Sequence, residues 1–545
     1  MTIDVATGIA RILKQENIPW VSTFPVSRVN NSFGREGLKL LMMRDDRYAV
    51  SVADSYSRVN NGNKIGVCTF SGGINAAGEQ VAYSGIAQAY EDGSPVLCIV
   101  DAVPAGSTQN TRFDQDASLR GVAKWYGYID KPERTPEFLR RAFTMLRSGR
   151  PGPVVLGIPD AAATYDETVD PYRSPKGWRS LPDPEDIHIA VDELSRAKNP
   201  LLFVGEGVLY SNATDELKSF AEKANLPVVT SLKAKGAFPE NHPLSVGVRG
   251  DHVLKFMDDA DVVLAIGASI SPGRFGHGIP DAVNKKIIQC NIDEFDVNRM
   301  YPTHHAVIGD AKVTLTSLTA AIDGNSGRAD VTPTVKSIKD EAMAQYREVM
   351  ESDTKPINPY RVYGDLMKVL DRNNSFVTHE SGNTRDQLST AYETLIPRGF
   401  LGWGNVSSLG YSFPAVVGAK LAHPDRQCVA VIGDAALSYM LGNLEVLTRL
   451  ELGITIVHIN NGGFSGYGPG FWGEGHDPYT FDVSGSDVIN MTAAIENIGW
   501  QTERVTEPGE ISAALERAFA ANRSNKPAYI EVIASQYPVY GDWAG

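Results

Sequence analysis

Short apolar runs alternate with amphipathic stretches along most of the 545-residue chain. Residues 429–432 and 454–459 are β-branched runs as long as a buried strand, and residues 437–450 between them space their leucines along one face of a helix. Two strands joined through one helix form a right-handed βαβ unit, so their carboxyl ends are neighbours. The pattern therefore predicts a parallel sheet with helices packed on it.

The same alternation predicts further strands and helices in two earlier parts of the chain. The predicted helices cover residues 5–15, 48–58 and 81–90, and the predicted strands cover residues 20–24, 66–70, 95–100, 154–158, 201–204, 228–230, 262–266 and 286–292. Two polar stretches, residues 161–185 and 323–354, interrupt the alternation and are predicted to be connecting segments, the second with a charged helix. We therefore predict the α/β class, with three doubly wound parallel-sheet domains over residues 1–160, 186–325 and 356–545.

Polar side chains follow the two strands of the third block. Asp434 lies at the carboxyl end of the first strand, where open α/β sheets place ligands, and Asn461 follows the second strand. Mg²⁺ takes oxygen ligands, usually one or two carboxylates completed by phosphates or water. Asp434, the amide oxygen of Asn461 and the carbonyl of Gly463 therefore predict a magnesium site. The alternative interpretation is an aspartate at a strand end followed by an ordinary Asn-Gly turn.

Charge and cysteine content limit the possible partners. The chain has 51 Lys and Arg against 65 Asp and Glu, a net charge of −14, which argues against nucleic acid or an anionic membrane as a partner. No apolar run approaches the roughly 18 residues of a membrane span, and the charged first twenty residues favour an amphipathic helix over a signal peptide. The four cysteines lie far apart in or beside apolar runs, so we expect buried thiols in a reducing, cytoplasmic compartment.

The segment from Gly433 to Asn461 resembles the motif that binds the diphosphate and the metal in thiamine diphosphate enzymes. Gly-Asp-Ala is followed by 24 residues, 436–459, and then by Asn-Asn, and Ala435 departs mildly from the usual Gly-Asp-Gly form. Other segments resemble the acetolactate synthase-like group of these enzymes, in the order of that group: residues 44–58, 71–73, 85–90, 149–154, 378–383 and 409–415. The resemblance extends over nearly the full length of the chain.

The resemblance implies a pyrimidine-binding domain, a central domain and a diphosphate-binding domain, in this order. In that family thiamine diphosphate and Mg²⁺ are held between the first domain of one subunit and the third domain of its partner, so a homodimer or homotetramer is expected. The residues implied in binding the coenzyme are Ser71, Gly72, Glu380, Ser381, Gly382, Asn383, Leu409, Gly433, Asp434, Ala435, Ala436, Asn461, Gly463 and Phe464. By the same resemblance, Leu409 props the coenzyme in its bent form.

Asp46 occupies the position of the family's catalytic glutamate, twelve residues before Arg58. In the family that carboxyl group hydrogen-bonds the coenzyme's pyrimidine and favours its reactive tautomer. Aspartate is one methylene shorter, so its carboxylate would fall about 1 Å short unless the backbone moves. Three alternatives stay open: Asp46 is a working substitute, the neighbouring Asp45 is the true donor, or Asp46 is solvated and the proton relay is lost.

The remaining acid–base candidates are few, because the first histidine in the chain is His188. We therefore assign acid–base steps to Gln115, Asp114, coenzyme nitrogen, water or third-domain residues, and name Gln115 and His476 as catalytic candidates. His476 is equally well interpreted as an ordinary exposed histidine. By the resemblance, residues 74–84 are an extra length of chain that borders the substrate pocket. Glu79 and Gln80 there are either substrate contacts or part of a polar loop, and we favour the polar loop.

The resemblance implies an enzyme that cleaves or forms a carbon–carbon bond next to a carbonyl, with a 2-oxo acid as substrate. It would act as a decarboxylase or carboligase of the acetolactate synthase type. One alternative is an enzyme of the 2-hydroxyacyl-CoA lyase or oxalyl-CoA decarboxylase type, which is disfavoured because no basic cluster for CoA stands out. The other alternative is a weakly catalytic coenzyme-binding protein, supported only by aspartate at position 46.

Overall fold

The computed structural model describes residues 1–73, 77–107, 112–271, 278–323, 328–403, 406–462 and 490–535. The chain divides into two compact units. The first comprises Met1–Trp178 with Val417–Ala422, and the second comprises Arg179–Val416 with His423–Gly545. No helix within the described residues is both long enough and apolar enough to cross a membrane.

The first unit is built around one six-stranded parallel sheet. Its elements are β1 (Thr2–Asp4), α1 (Val5–Gln15), β2 (Trp20–Thr23), α2 (Asn30–Arg35), β3 (Lys39–Met42), α3 (Asp46–Val59), β4 (Gly66–Phe70), α4 (Ala77–Asp92), β5 (Val96–Asp101), α5 (Gln115–Arg120), β6 (Trp125–Tyr128), α6 (Thr135–Arg147), β7 (Val154–Ile158) and β8 (Thr164–Asp166). The strand order is β3-β2-β4-β5-β7-β6, and β1 and β8 form a separate antiparallel pair.

Both faces of this sheet are buried, because helices cover each of them. Alternate residues of β5 enter two different apolar clusters: Leu97 and Ile99 pack with α1 and α6, whereas Cys98 and Val100 pack with α3 and α4. This division explains why the strand is a continuous apolar run without alternation of polar residues. The first unit is therefore doubly wound.

The second unit contains two further six-stranded parallel sheets. The elements around the first of them are α7 (Pro184–Arg196), β9 (Pro200–Val204), α8 (Gly207–Tyr210), α9 (Thr214–Ala224), β10 (Val228–Thr230), β11 (Ser245–Gly247), α10 (Asp251–Asp259), β12 (Val262–Ile266), β13 (Lys286–Asn291), β14 (His305–Ile308) and α11 (Ala311–Ala321). The strand order is β11-β10-β9-β12-β13-β14. Leu202 and Leu264 pack on α7, α9 and α11, whereas Val263 packs on α10, so this sheet too is covered on both faces.

The last sheet holds the candidate metal residues. Its elements are α12 (Thr332–Met350), α13 (Pro359–Val369), β15 (Ser375–His379), α14 (Asn383–Ala391), β16 (Phe400–Leu401), α15 (Ser412–Ala422), β17 (Gln427–Gly433), α16 (Asp434–Met440), α17 (Glu445–Arg449), β18 (Thr455–Asn460), α18 (Met491–Glu496), β19 (Gln501–Val505), α19 (Ile511–Arg523) and β20 (Ala528–Ile533). The strand order is β16-β15-β17-β18-β20-β19. A buried ion pair between Arg398 and Glu206, with Nη1 and Oε1 2.7 Å apart, joins the two sheets of the second unit.

The predicted fold class, three doubly wound parallel sheets, is confirmed, whereas several local predictions are wrong. The helix predicted over 437–450 is broken into α16, a 3₁₀ turn at Leu441–Asn443 and α17. The helix predicted over 81–90 begins at Ala77, so Glu79 and Gln80 are helical and do not lie in a loop. The sequence pattern also missed ten of the described strands: β1, β3, β6, β11, β14, β15, β16, β19 and β20, and β8 inside the first connecting segment.

A buried ion pair between α3 and α4 supplies a test of the first unit. Nη1 of Arg58 lies 3.2 Å from Oδ2 of Asp92, and both side chains are fully buried. Arg58→Met keeps most of the side-chain volume but leaves the buried Asp92 carboxylate without its arginine partner. We therefore expect the free energy of unfolding to fall by about 3–5 kcal/mol, measured by urea denaturation. The matched control Arg134→Met breaks an exposed pair with Glu137 and should change the urea midpoint little. Equal urea midpoints for Arg58→Met and Arg134→Met would contradict the prediction that the buried ion pair stabilises the fold.

Candidate active site

The tips of β17 and β18 bring Asp434 and Asn461 together. The two strands pair in parallel with Gly433 opposite Ile459, so both chains leave the sheet at the same edge. Asp434 begins α16, and the backbone N–H of Asn461 donates to its Oδ2 at 3.3 Å. Asn460, predicted to follow the strand, is its last residue, and its side-chain amide donates to Glu531 at 2.8 Å. The neighbouring Asn461 is therefore the one that meets Asp434.

A histidine that the sequence analysis missed also contacts Asp434. Nε2 of His458 lies 3.1 Å from Oδ1 of Asp434, and Nδ1 lies 2.7 Å from the Tyr529 hydroxyl. The three side chains thus form one hydrogen-bonded row from the start of α16 through β18 to β20, and each is buried. The signal in the sequence was a polar residue inside an otherwise apolar strand, two positions before its end.

No group of three or more His, Cys, Asp or Glu side chains suited to a metal occurs in the part of the chain that the structure describes. The meeting point of Asp434 and Asn461 offers one carboxylate and one amide oxygen. Such a donor set fits a hard cation only if phosphate or water oxygens complete its shell. The residues present therefore fit a metal that is bound together with a phosphorylated ligand.

The turn after β15 concentrates hydrogen-bond donors at the same sheet edge. Glu380 is buried there and accepts hydrogen bonds from the Ser381 amide at 2.9 Å and the Ser412 hydroxyl at 2.6 Å. Burial raises the pKa of the Glu380 carboxyl to about 7, although these donors work in the opposite direction. The Ser381 hydroxyl is hydrogen-bonded to the Ser407 hydroxyl, to which Arg385 Nη1 also donates at 3.0 Å.

The other residues that the resemblance implies in coenzyme binding at this sheet edge lie beside α14, α15 and α16. Gly382 precedes α14, and Asn383 is the first residue of that helix. Leu409 is half-buried between Ser407 and α15, whereas Ala435 and Ala436 lie in the first turn of α16. The amino terminus of α14 and the Arg385 guanidinium together make this edge suited to an anion.

In the first unit, Asp46 is buried at the start of α3. Its side chain is 6% exposed, so the interpretation of Asp46 as a solvated residue is wrong. Burial, and next the charge of Asp45, raise the pKa of the Asp46 carboxyl to about 6, although the Ser71 amide lowers it. Among the described residues, Oδ1 of Asp46 has no hydrogen-bond partner. Asp45 caps the helix, because its carboxylate accepts the Tyr48 amide at 2.8 Å.

Beside Asp46, the turn after β4 passes between two helices. A Cβ on Gly72 would lie 2.5 Å from the Asp101 carbonyl oxygen and 2.6 Å from Oε2 of Glu79. A Cβ on Gly78 would lie 2.3 Å from the Ser71 hydroxyl and 3.0 Å from Oδ1 of Asp46. Only glycine fits at either position, so Ser71 and Gly72 run directly along the first turn of α4.

Gln115, named as a candidate from the sequence, is held at the same place. It is buried as the first residue of α5, and its Nε2 donates to Oε2 of Glu79 and, at 3.0 Å, to the Asp101 carbonyl oxygen. The structure therefore brings Gln115 together with a carboxyl group that the sequence analysis placed in a polar loop. His476, Gly463 and Phe464, also candidates from the sequence, lie outside the described residues.

Three family models match successive parts of the chain. The thiamine pyrophosphate enzyme N-terminal TPP binding domain matches residues 3–121, the central domain matches residues 187–318, and the C-terminal TPP binding domain matches residues 380–532. Each match contains one of the three parallel sheets, in whole or in large part.

Curated relatives are similar over nearly the whole chain. A probable acetolactate synthase large subunit of Methanocaldococcus jannaschii is 28% identical over 562 residues, covering 97% of this chain and 91% of the relative. A probable acetolactate synthase large subunit of Methanococcus aeolicus is 28% identical over 508 residues, covering 88% and 83%. The acetolactate synthase isozyme 3 large subunit of Escherichia coli is 26% identical over 518 residues, covering 91% and 88%.

The raised pKa of Asp46 predicts a pH-dependent stability cost. The unfolded carboxyl ionises near pH 3.8 and the folded one near pH 6, so the stability contributed by its proton is lost as pH rises through this interval. Asp46→Asn has no proton to lose. It should therefore unfold like wild type near pH 4 and be more stable by about 2 kcal/mol at pH 7.5, measured by urea denaturation without added ligand. The control Asp45→Asn keeps a helix cap and should retain most of this pH dependence, because burial is a larger cause of the raised Asp46 pKa than the charge of Asp45. A constant difference between Asp46→Asn and wild type at the two pH values would contradict the buried site.

Proposed function

Because this chain belongs to the thiamine pyrophosphate enzymes and is acetolactate synthase-like, we propose that it uses Mg²⁺ with that coenzyme to decarboxylate a 2-oxo acid. The remaining fragment would then pass to a carbonyl acceptor or leave as an aldehyde. When bound, the coenzyme supplies a thiazolium carbon that loses its proton and adds to the substrate carbonyl. The contact between Asp434 and Asn461 at the strand tips is the observation that carries this proposal.

The metal-binding residues are proposed to be Asp434, Asn461 and Gly463, of which the first two are described. Asp434 gives the carboxylate, and Asn461 gives the amide oxygen. His458, which is itself hydrogen-bonded to Tyr529, contacts one oxygen of the Asp434 carboxylate and would orient it for the ion. The ion would link Asp434 to the coenzyme's diphosphate.

The diphosphate is proposed to lie against the turn after β15. The hydroxyls of Ser381 and Ser407, the Arg385 guanidinium and the amino terminus of α14 provide donors of the kind that phosphates accept. Glu380 accepts hydrogen bonds from the surrounding amides, and its raised pKa limits the negative charge that it adds beside the diphosphate at neutral pH.

Asp46 is proposed to hydrogen-bond the pyrimidine ring in the first domain. Its burial and its Oδ1, which has no partner within the described ranges, support this role, because a carboxyl in a dry site must find a polar partner. A pKa raised to about 6 also leaves the carboxyl able to hold or give up a proton near neutral pH. Ser71 and Gly72 form the adjoining wall.

The proposed assembly is a homodimer or homotetramer, the closed symmetries that are common among such enzymes. It follows from the family resemblance, which implies that the coenzyme is held by the first domain of one subunit and the third domain of its partner. Residues 1–160, 186–325 and 356–545 are the corresponding domains of the proposal. The four cysteines are buried and free, which supports a reducing, cytoplasmic location.

Replacing the proposed metal carboxylate tests the function directly. Asp434→Ala should abolish Mg²⁺-dependent binding of thiamine diphosphate, because the diphosphate loses its bridging cation. Titration calorimetry with and without Mg²⁺ measures this. The control Asp425→Ala changes an exposed aspartate just before the same strand and should bind the coenzyme normally. Unchanged affinity in Asp434→Ala would remove the metal assignment.

Changes at position 46 test whether this carboxyl acts in the proton relay. Asp46→Ala should keep coenzyme binding nearly intact but slow exchange of the thiazolium proton by about 10²-fold or more, measured by NMR. Asp46→Glu restores the side-chain length of the family. If the backbone lies as in the family, the rate of thiazolium proton exchange should stay the same or rise. If the surrounding residues have closed in around the shorter aspartate, the rate should fall. Equal exchange rates in wild type, Asp46→Ala and Asp46→Glu would exclude Asp46 from the relay.

A further inference from the structure

Glu79 is a buried carboxyl group to which neither the resemblance nor the proposed function assigns a role. It lies in the first turn of α4, and its side chain is fully buried. Gly78 precedes it, and the position of a Cβ on Gly78 is 3.0 Å from Oδ1 of Asp46. The first turn of α4 therefore packs directly against the carboxyl group of Asp46.

The two carboxyl groups are held by the same turn in the same manner. The Ser71 amide donates to Asp46 and the Gly73 amide donates to Glu79. In each carboxyl group one oxygen, Oδ1 of Asp46 and Oε1 of Glu79, has no partner among the residues that the structure describes. A buried polar atom of this kind normally meets a hydrogen-bond partner, so both oxygens indicate a polar ligand.

Gln115 determines which oxygen of Glu79 carries a proton. The Nε2 group of Gln115 has two hydrogens, and it donates to Oε2 of Glu79 and to the Asp101 carbonyl oxygen. Oε2 is thus an acceptor. When Glu79 is protonated, the proton lies on Oε1, the oxygen that is directed at no described group.

The surroundings of Glu79 allow it to hold or release a proton near neutral pH. Burial is the main cause that raises the pKa of its carboxyl to about 7; the Gln115 and Gly73 donors work against it, and the charge of Asp101 adds to it. Two further titratable groups on neighbouring elements are Asp46 on α3 and Tyr126 on β6, whose hydroxyl donates to Asp116 at 2.6 Å. Residues 1–187 contain no histidine that could take this task instead.

We propose that Glu79 is a catalytic acid–base residue of the first domain, which exchanges a proton between its Oε1 and the carbonyl oxygen of the substrate. As the substrate's carbonyl carbon gains its new bond, the oxygen takes the proton from Oε1 and becomes a hydroxyl, leaving Glu79 as a carboxylate. When the carbonyl forms again at product release, the hydroxyl returns the proton to Oε1. This role rests on the proposed function, and it is separate from the role of Asp46 at the pyrimidine ring.

The test compares Glu79→Gln with Glu91→Gln, the same change at an exposed position of α4. Each protein is loaded with thiamine diphosphate and Mg²⁺. Glu79→Gln should bind the coenzyme and exchange the thiazolium proton as wild type does, yet release CO₂ from pyruvate about 10²- to 10⁴-fold more slowly. Glu79→Asp should recover part of the rate, and Glu91→Gln should behave as wild type.

The pH profile supplies a second readout. A required acid loses activity as its proton leaves, so kcat of wild type should fall as pH rises through about 7, and Glu79→Gln should lack this fall. CO₂ release by Glu79→Gln equal to that of wild type would overturn the proposal. Loss of thiazolium exchange in parallel with CO₂ release would also overturn it, because Glu79 would then only support the pocket.

Failure of the proposed function has a different signature. A wild-type enzyme that exchanges the thiazolium proton but releases no CO₂ from pyruvate, 2-oxobutyrate or phenylglyoxylate would overturn the 2-oxo acid assignment alone. Infrared difference spectra then decide the role of Glu79. A carboxylic acid band that titrates near pH 7 and is absent from Glu79→Gln supports the proposal, and an unchanged band in Glu79→Gln overturns it.

Discussion

The proposed chemistry depends on carboxyl groups that are buried among uncharged hydrogen-bond donors in the described part of the chain. Asp46, Glu79 and Glu380 each lie against a turn that follows a parallel strand, and backbone amides or neutral side chains are their donors. Such donors stabilise a carboxylate less than a buried arginine would, so burial dominates and the pKa of each group rises. The sheets provide these sites because their strand ends leave amide groups that no further strand pairs with.

The fold was predictable wherever burial on both faces produced continuous apolar strands. Residues 66–70, 154–158 and 262–266 were predicted with the bounds that the structure has, since such runs are short, β-branched and bounded by turns. The strand Trp125–Tyr128 was missed because two of its residues are only half-buried and its aromatic, glycine-containing sequence resembles a turn. The helix predicted over 437–450 was wrong in the middle, where a 3₁₀ turn contains Gly442.

The candidate site was predictable only where chain connectivity alone decides proximity. A βαβ unit makes its two strand ends neighbours, which is why the sequence could place Asp434 beside Asn461. The burial of Glu79 depends instead on how α4 packs over the turn after β4. The polar residues around Glu79 in the sequence indicated an exposed loop, which is why its burial was not predicted. His458 was missed for a similar reason, because its partners Asp434 and Tyr529 come from the neighbouring strands on either side.

The pocket wall at Gly72 and Gly78 is made of backbone, since neither position has room for a methyl group. Random mutagenesis at these two sites would yield mostly damaged proteins, so a change of substrate preference is not available there. Residues that project from the wall, Glu79 and Gln115, are the ones whose replacement can alter the pocket without moving the chain. A focused library for redesigning this enzyme would therefore leave the glycines fixed and vary this pair together, because each defines the hydrogen bonds of the other.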